Sequence, residues 1–245
     1  MSRYFDAKET LSNLIEWTKD WFEINCPTGF AVIGISGGKD STVCAGILAK
    51  AIGPERVIGV LMPNGVQKDI SDSYKVCELL GIKPYVVNIE DAVNGIYHQL
   101  EKEGFKLKDL CTVNTPPRIR LTTLYAVAGC VGGVVVNTSN ASESYVGYFT
   151  KNADNRGDVA LLSDLTKTEV VAIGHALGLP KELVDKVPSD GLCGKTDEDN
   201  LGFTYAELDA YLRGEDIRDE VFAKIEKAHI STSHKRREMD SFKRI

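Results

Sequence analysis

A chain of 245 residues with a formal net charge of −6, 43% hydrophobic and 26% charged residues has the composition of a globular protein. These values exclude disordered and collagen-like proteins, and the acidic balance argues against nucleic acid as the main partner. No apolar run approaches the roughly 20 residues of a membrane span, and the N-terminus lacks the pattern of a secretory signal. We therefore expect a cytoplasmic protein with neither a membrane nor a nucleic acid as its partner.

The length predicts one domain over residues 1–245, because single α/β domains commonly reach roughly 200–250 residues. We expect an N-terminal amphipathic helix within 1–29, a core at 30–235 and a basic tail at 236–245. The six cysteines form no C-x-x-C pair, and the four histidines are dispersed. The sequence therefore signals neither a zinc site nor a redox motif, and reduced, buried thiols are expected.

Strands and helices are predicted to alternate along the chain. The predicted strands are FAVIGI at 30–35, RVIGVLMP at 56–63, PYVVNI at 84–89 and VVVNTS at 134–139. Helical patterns lie at 42–53, 69–81, 91–104 and 114–133. Strands that alternate with helices of this length indicate βαβ units, and hence an α/β fold with a single doubly wound parallel sheet and helices on both faces.

The second half of the chain is less regular. The helix at 114–133 is expected to begin at Pro116 and Pro117, since proline is tolerated at the start of a helix. The segment at 140–158 is polar and rich in Gly and Asn, so we predict a long functional loop there. A helix at 167–178, a turn-rich segment at 187–202 and two further helices complete the prediction.

The first predicted strand runs into the loop GISGGKDS, Gly34 to Ser41. A strand, a glycine loop and a helix in this order place backbone N–H groups at a helix N-terminus, which binds anions through its geometry and its dipole. Glycine permits close approach of the backbone, and the serines add hydroxyl donors. The patterns G-x-G-x-x-G and G-x-x-x-x-G-K-[ST] are both missing. The loop is therefore predicted to be a phosphate site of another kind.

Asp40 is an unexpected residue in a phosphate loop. A carboxylate beside bound phosphate is repelled unless a cation lies between them, and Mg²⁺ would reconcile the two. The alternative is that Asp40 simply caps the helix that starts near Ser41.

The motif SGGKDS resembles the pyrophosphatase loop of the N-type ATP pyrophosphatases, which cleave ATP to AMP and pyrophosphate by adenylating a substrate oxygen. NTPPRIR, NTSNASESYVGYFTK, LTKTEV, PSDGL, DEDNLGFTYAELDAYL and HK follow in the order seen in NAD synthetases. The resemblance runs from about Phe30 to Lys235 and implies an adenine-nucleotide α-hydrolase-like, Rossmann-like fold. It implies a ligase that amidates deamido-NAD with ammonia and ATP, through an acyl-adenylate, giving NAD, AMP and pyrophosphate.

The resemblance also implies the residues that handle ATP. The ATP-binding positions are Gly34, Ile35, Ser36, Gly37, Gly38, Lys39, Asp40, Ser41, Thr138, Lys167 and Ser189. Asp40 and Glu143 would hold Mg²⁺, and Asp40 and Lys167 would be the catalytic residues. Ser189 stands where threonine is expected and keeps the hydroxyl. Lys39 stands where glutamine is common, and our hypothesis is that its side chain lies outside direct contact with the phosphates.

Position along the chain supports the role of Glu143, and the chemistry of phosphate transfer supports that of Lys167. Glu143 comes just after the fourth predicted strand, at the carboxyl edge of the sheet where the glycine loop also lies, so two strand ends could share one ion. A lysine near a transferring phosphate stabilises the charge that grows in the transition state. The alternatives are that Glu143 is a solvated loop acid and that Lys167 is a solvated residue at the start of a helix.

For deamido-NAD, the resemblance implies five binding residues. They are Arg118, Lys151, Asp158, His234 and Lys235. Arginine and lysine suit a dinucleotide that bears a pyrophosphate and a carboxylate. The alternative for the last two is an ordinary solvated basic tail.

The source of nitrogen is predicted from the length. Glutamine-using relatives carry an additional amidase domain, for which 245 residues leave no room, so free ammonia is the expected donor. A glutaminase supplied by another chain is the alternative. The resemblance further implies a homodimer whose interface helps to bind deamido-NAD.

Two rival functions fit parts of the sequence. Another N-type ATP pyrophosphatase, such as a GMP-synthetase-like or tRNA-modifying enzyme, is the nearer one, but scattered cysteines and a net charge of −6 argue against a tRNA modifier. The other rival is a non-catalytic adenine-nucleotide-binding module. A pure binder has no need of two metal carboxylates, so Asp40 together with Glu143 favours an enzyme.

Overall fold

The computed structural model of the chain describes residues 5–186 and 196–243. Within these ranges, one parallel sheet forms the centre of the molecule. Its strands are β1 (Ala31–Gly34), β2 (Val57–Leu61), β3 (Lys83–Val86), β4 (Val134–Asn137) and β5 (Val159–Ala160). Their order is β3-β2-β1-β4-β5, with Ala31 of β1 paired to Val57 on one side and to Val134 on the other. The predicted doubly wound parallel sheet is confirmed, and its order reverses between β1 and β4.

Helices cover both faces of the sheet. The helices of the first half are α1 (Ala7–Asn25), α2 (Lys39–Ile52), α3 (Ile70–Leu80), α4 (Glu90–Lys102) and α5 (Asp109–Val131). Those of the second half are α6 (Ala141–Val146), α7 (Lys167–Ala176), α8 (Lys181–Val184), α9 (Asp197–Leu201), α10 (Tyr205–Leu212), α11 (Asp219–Ser231) and α12 (Ser233–Arg236). Ala31 and Ile33 belong to the core shared with α1, α2 and α7, whereas Val32 packs in the core under α5. Alternate side chains of β1 therefore point to opposite faces, as the pleat requires.

The prediction for the start of α5 was wrong, because both prolines lie inside the helix. Pro116 lacks the N–H that would bond to the carbonyl of Thr112 one turn earlier. That carbonyl instead accepts a hydrogen bond of 3.1 Å from the hydroxyl of Tyr97 on α4. A neighbouring helix thus replaces a backbone hydrogen bond that proline removes.

The prediction of an irregular loop at 140–158 was also wrong in part. Its first residues form α6, which begins after the N-cap Asn140, whose side chain accepts a hydrogen bond from the backbone N–H of Glu143. The two-residue strand β5 was not predicted; it follows the same segment and pairs with the end of β4. The third predicted strand is present, but all four residues of β3 are exposed at the edge of the sheet.

A second, smaller core joins the C-terminal helices to α6. It contains Val146, Phe203, Tyr205, Leu208, Val221 and Ile225. Because α10 also packs on α7, this core fixes α6 and α7 relative to each other at the carboxyl edge of the sheet.

No helix in the described ranges is long and apolar enough to cross a membrane. The five cysteines of the described part, Cys26, Cys44, Cys77, Cys111 and Cys130, are free thiols. Burial raises the pKa of the Cys77 thiol to about 11, so this group stays protonated and inert at neutral pH.

Candidate active site

The glycine loop leaves β1 and turns directly into α2. Gly37 has φ of +77°, and a Cβ at this position would lie 3.0 Å from both the Cβ of Asp72 and the backbone nitrogen of Ser73, so only glycine fits. The hydroxyls of Ser36 and Ser41 lie 3.1 Å apart, and Ser41 donates to the carbonyl of Gly38 at 3.0 Å. The loop is therefore built by its own serines, with the N-terminus of α2 behind it.

Asp40 does not cap α2. The helix begins at Lys39, its N-cap is Gly38 and this cap makes no side-chain hydrogen bond. Asp40 is the second residue of the helix, and its carboxylate turns toward residues that follow β4. The capping alternative is therefore wrong.

Three charged side chains meet at the carboxyl edge of the sheet. The ammonium nitrogen of Lys167 lies 2.9 Å from Oδ2 of Asp40 and 2.5 Å from Oε1 of Glu143. Asp40 comes from α2, Glu143 from α6 and Lys167 from the first position of α7. The structure thus brings together the two predicted metal ligands and the predicted catalytic lysine, around one point beside the glycine loop.

The charges in this cluster depend on one another. Burial alone would lower the pKa of Lys167, but the carboxylates of Glu143 and Asp40 outweigh burial and raise this pKa, so the ammonium stays charged. Burial raises the pKa of Glu143 to about 7, assisted by the charge of Asp40 and opposed by that of Lys167. The side chain of Lys167 is only 6% exposed, and its charge is matched by carboxylates rather than by water.

Three buried polar residues around this cluster were missed by sequence reasoning. Asn140 donates from Nδ2 to Oδ1 of Asp40 at 2.9 Å. Ser142 accepts a hydrogen bond of 2.9 Å from the backbone N–H of Lys167, and donates its hydroxyl to the carboxylate of Asp209. All three of Asn140, Ser142 and Asp209 are fully buried.

The start of α7 is held in place by several groups. Thr166 is the N-cap, and with Glu169 it forms a capping box in which each side chain binds the other residue's backbone N–H. Arg213, the C-cap of α10, donates to the hydroxyl of Thr166 at 3.1 Å and lies 3.4 Å from the carboxylate of Glu169. Lys167 therefore projects from a helix end whose position is fixed by α6 and α10.

The residues predicted to bind ATP also include Thr138, Ile35, Lys39 and Ser189. Thr138 directly follows β4 and is half-buried, near the end of the strand that leads to Asn140. Ile35 extends the pairing of β1, since its N–H bonds to the carbonyl of Val60. Burial and the charge of Lys167 lower the pKa of Lys39, which is partly buried. Ser189 lies outside the described residues.

Five residues are predicted to bind the dinucleotide. Three of them, Arg118, Lys151 and Lys235, meet at the segment that follows α6. The guanidinium of Arg118 lies 3.4 Å from the carbonyl of Lys151. Lys235 donates to the carbonyls of Gly147 and Phe149 at 2.8 and 2.7 Å. His234 is exposed next to Lys235.

The fifth predicted position, Asp158, is held by backbone and side-chain donors. Its carboxylate accepts hydrogen bonds from the N–H of Val135 at 2.7 Å and from the hydroxyl of Tyr125 at 3.3 Å. Beside it lies a cavity of about 360 Å³, lined among others by Asn137, Asn155, Arg156, Asp158 and Arg236. Oδ1 of Asn155 is buried without a hydrogen-bond partner. Two arginines, Arg156 and Arg236, are among the residues that line the cavity, and their positive charge suits a phosphate-bearing ligand.

Comparison with known proteins identifies the family. The NAD synthase family model matches residues 11–245. An NH(3)-dependent NAD(+) synthetase of Thermococcus sibiricus is 40% identical over 86% of this chain and 82% of its own length. The solved NMN synthetase of Francisella tularensis is 34% identical with a TM-score of 0.88, covering 97% of this chain and 99% of that one. An NAD+ synthetase of Burkholderia pseudomallei is 28% identical with a TM-score of 0.80, covering 95% and 91%. This chain therefore belongs to the NAD synthase family.

Proposed function

We propose that this chain is an ammonia-dependent ligase that converts deamido-NAD to NAD at the expense of ATP, as the NAD synthase family does. The observation that carries the proposal is the position of Lys167, between Asp40 and Glu143 and beside the glycine loop. A nicotinate oxygen attacks the α-phosphorus of ATP, and the bond to pyrophosphate breaks. Ammonia then attacks the acyl carbon and loses a proton, and AMP leaves with the former carboxylate oxygen.

The glycine loop supplies the ATP site in this mechanism. Backbone N–H groups at the N-terminus of α2 point toward the space beyond β1, where the positive end of the helix dipole favours phosphate. Ser36 and Ser41 add hydroxyls to the same place. Phosphoryl chemistry of this kind needs positioning and charge stabilisation rather than a protein nucleophile.

Asp40 and Glu143 fit Mg²⁺ by the chemistry of their oxygen atoms. Within the described parts of the chain, no group of three or more His, Cys, Asp and Glu side chains could hold a metal ion. Proteins commonly bind Mg²⁺ through only one or two carboxylates, together with substrate phosphates. Each of the two side chains is 19% exposed, so phosphate can approach them. When bound, the ion would neutralise charge on the phosphates of ATP.

Lys167 is proposed to be the residue that contacts the reacting phosphate. Its ammonium is rigidly placed, because α7 begins at this residue and its backbone is bonded to Ser142. A fixed positive charge stabilises the oxygens of the α-phosphate as negative charge grows on them. With phosphate and metal in the site, the ammonium would exchange its carboxylate partners for phosphate oxygens.

The dinucleotide is proposed to bind at Arg118, Lys151, Asp158, His234 and Lys235. The cavity beside Asp158 supports this proposal, since two arginines line it and it lies next to β4 and β5. Arg118 and Lys235 both contact the segment at 147–151, which follows Glu143 by only a few residues. Substrate contacts on this segment would therefore be adjacent to the metal carboxylate.

A homodimer is proposed as well. Phe105 and Leu110, between α4 and the first turn of α5, are 63% and 78% exposed, and Val86 at the sheet edge is 48% exposed. Exposed apolar surface of this kind commonly marks a protein interface. Light scattering after size exclusion should give the mass of two chains, and L110E should shift it toward one.

The free thiols support the expected cytoplasmic location.

A second candidate substrate is nicotinate mononucleotide, which shares the reacting carboxylate but lacks the adenylate half. One observation favours it. The structure of this chain is more similar to the Francisella NMN synthetase, with a TM-score of 0.88, than to the Burkholderia NAD+ synthetase, with a TM-score of 0.80. The adenylation chemistry at Asp40, Glu143 and Lys167 would be the same for both substrates.

One experiment separates the two candidates. The purified protein is given ATP, Mg²⁺ and ammonium with deamido-NAD and nicotinate mononucleotide together, and NAD, NMN, AMP and pyrophosphate are followed. NAD formed with equal AMP and pyrophosphate supports the first candidate, and a tenfold preference for NMN formation supports the second. No amide product from either acceptor would refute both. Glutamine in place of ammonium tests the nitrogen source, and D40N is the inactive control.

A further inference from the structure

Asn140 lies at the junction of the two carboxylates proposed to bind metal. It follows the end of β4, is the N-cap of α6 with φ of −101° and ψ of 172°, and is fully buried. Oδ1 of its side chain accepts the N–H of Glu143 at 2.9 Å. Its Nδ2 donates to Oδ1 of Asp40 at 2.9 Å. One amide therefore touches the backbone of one carboxylate residue and the side chain of the other.

The two contacts require the same orientation of the amide. The N–H of Glu143 can only donate, so it needs the oxygen of Asn140. The carboxylate of Asp40 accepts, so it needs the nitrogen. Because Asn140 is 100 residues from Asp40 in the sequence, this contact joins the first turn of α2 to the N-terminus of α6.

Capping of α6 alone does not explain an asparagine here. Serine, threonine and aspartate serve equally well as N-caps. Aspartate cannot donate to Asp40, and a single hydroxyl on a shorter side chain does not reach both partners. Among these capping residues, only asparagine can accept from Glu143 and donate to Asp40 at once, and it does so without adding a charge that would compete with phosphate.

We infer that Asn140 is a positioning residue for the metal site, which fixes Asp40 and Glu143 relative to each other across the switch point of the sheet. The inference rests on the proposed function for the identity of the metal ligands. Groups that orient a metal ligand typically change metal affinity about 10–100-fold when they are removed. Loss of the amide should therefore weaken metal binding while α6 remains capped.

The test uses N140S, which keeps a capping hydroxyl. Binding of Mn²⁺, as a spectroscopic substitute for Mg²⁺, is measured by electron paramagnetic resonance in the presence of α,β-methylene-ATP, which cannot release pyrophosphate. We expect the Kd for Mn²⁺ to rise about tenfold. In turnover assays the Mg²⁺ concentration for half-maximal rate should rise by a similar factor, with kcat at saturating Mg²⁺ within about threefold of the original.

The matched control is T204A. Thr204 is the N-cap of α10 and accepts the N–H of Glu207 at 3.2 Å, but it does not belong to the metal cluster. This variant should lower the thermal midpoint and leave the Kd for Mn²⁺ unchanged. If N140S does not fold, N140G replaces it, because glycine is also tolerated as an N-cap.

Two results would overturn the inference. One is a folded N140S, or N140G, whose Mn²⁺ affinity stays within twofold of the original chain. The other is a fall in kcat with unchanged metal affinity, which would place Asn140 in another role. The binding arm needs no turnover, so a failure of the proposed reaction would not be mistaken for a failure of this inference.

Discussion

Asp209 on α10 accepts a hydrogen bond of 2.7 Å from the backbone N–H of Thr168, the residue that follows Lys167. The same carboxylate receives the hydroxyl of Ser142, which in turn accepts the N–H of Lys167. A buried negative charge thus lies at the N-terminus of α7, where the helix dipole stabilises it. Through this chain of hydrogen bonds, α10 determines where the ammonium of Lys167 and the adjacent Glu143 are placed.

Replacing Asp209 with asparagine should reduce both stability and rate. An asparagine oxygen can satisfy one of the two donors, but its NH₂ group would face the other. We expect D209N to lower the free energy of unfolding by about 2–3 kcal/mol, and kcat by tenfold or more because Lys167 shifts. Urea unfolding and initial rates of pyrophosphate release measure the two effects.

The control for D209N is E226Q. Glu226 accepts hydroxyls from Tyr145 and Tyr211 at 2.8 and 2.9 Å, but contacts none of the three charged site residues. E226Q should therefore lose stability without a comparable fall in kcat. Equal losses of kcat in both variants would show that stability, rather than placement of Lys167, explains the effect of D209N.

Lys167→Met removes the charge and keeps much of the side-chain volume. Because a fixed cation beside the reacting phosphate contributes several kcal/mol, we expect kcat to fall about 100-fold or more. The variant also leaves Asp40 and Glu143 facing each other without a counter-ion, so Mg²⁺ should raise its thermal midpoint more than that of the original chain. K50M, at an exposed position in the last turn of α2, should change neither quantity. Near-normal kcat in K167M would refute the assignment.

Glu207 gives a pH-dependent contribution to stability. Hydrogen bonds from the backbone N–H of Thr204 and from Arg218 lower the pKa of Glu207 to about 2, from its usual 4.5. A lowered pKa in the folded state adds stability that is present above pH 4.5 and lost as the pH falls toward 2. The side chain is 25% exposed and partly screened, so we expect E207Q to cost about 1 kcal/mol at pH 7.

Urea unfolding of E207Q and the original chain at pH 7, 5, 4 and 3 measures this contribution. The difference in unfolding free energy should shrink steadily below pH 4.5. A difference that stays constant down to pH 3 would contradict the role assigned to the ionised carboxylate. E220Q, in the exposed pair with Lys224, serves as the surface control and should have a smaller effect.

Tyr97→Phe tests how α5 tolerates an internal proline. The variant keeps the ring and removes the hydroxyl that bonds the carbonyl of Thr112. We expect the free energy of unfolding to fall by about 1 kcal/mol, the typical value of one hydrogen bond. If Pro116 is the cause, P116A should reduce the effect of Y97F, because alanine restores the backbone donor. Additive losses in the double variant would contradict this explanation.

Lys39→Gln tests whether Lys39 touches the reacting phosphates. Lys39 is the first residue of α2, and burial and the nearby charge of Lys167 lower its pKa. We expect kcat within tenfold of the original at unchanged thermal midpoint. A larger fall would place its ammonium in direct contact with ATP.

The sequence predicted those parts of the site that depend on local pattern. A glycine loop after an apolar strand is readable from neighbouring residues, and strand ends of a parallel sheet share one edge, so the approach of Asp40 and Glu143 was expected. The place of Lys167 near them was implied only by the family resemblance. The contacts of Asn140 and Asp209 were not, because they join residues 100 and 41 positions apart and leave no periodic signal.

Two errors of prediction have different causes. Helix α6 is short, but Asn140 with Glu143 three residues later is a helix-start signal that could have revealed it. The start of α5 could not be found in this way, because the rule against internal proline was overridden by a hydroxyl from α4, which is a tertiary contact. Tertiary contacts of this kind outweigh local propensity and are invisible along one segment.

The strand order has a consequence for the chain as it is synthesised. Asp40 emerges early, but its partners Asn140 and Lys167 lie 100 and 127 residues later, and β4 must dock beside β1 before any of them can meet. A ribosome-bound fragment that ends before Lys167 would carry a complete glycine loop without the ammonium of Lys167 beside Asp40. The glycine loop would be present in every nascent chain that contains β1 and α2, whereas Lys167 would be present only in longer ones. A change in nucleotide binding as the nascent chain lengthens would therefore report when Lys167 reaches Asp40.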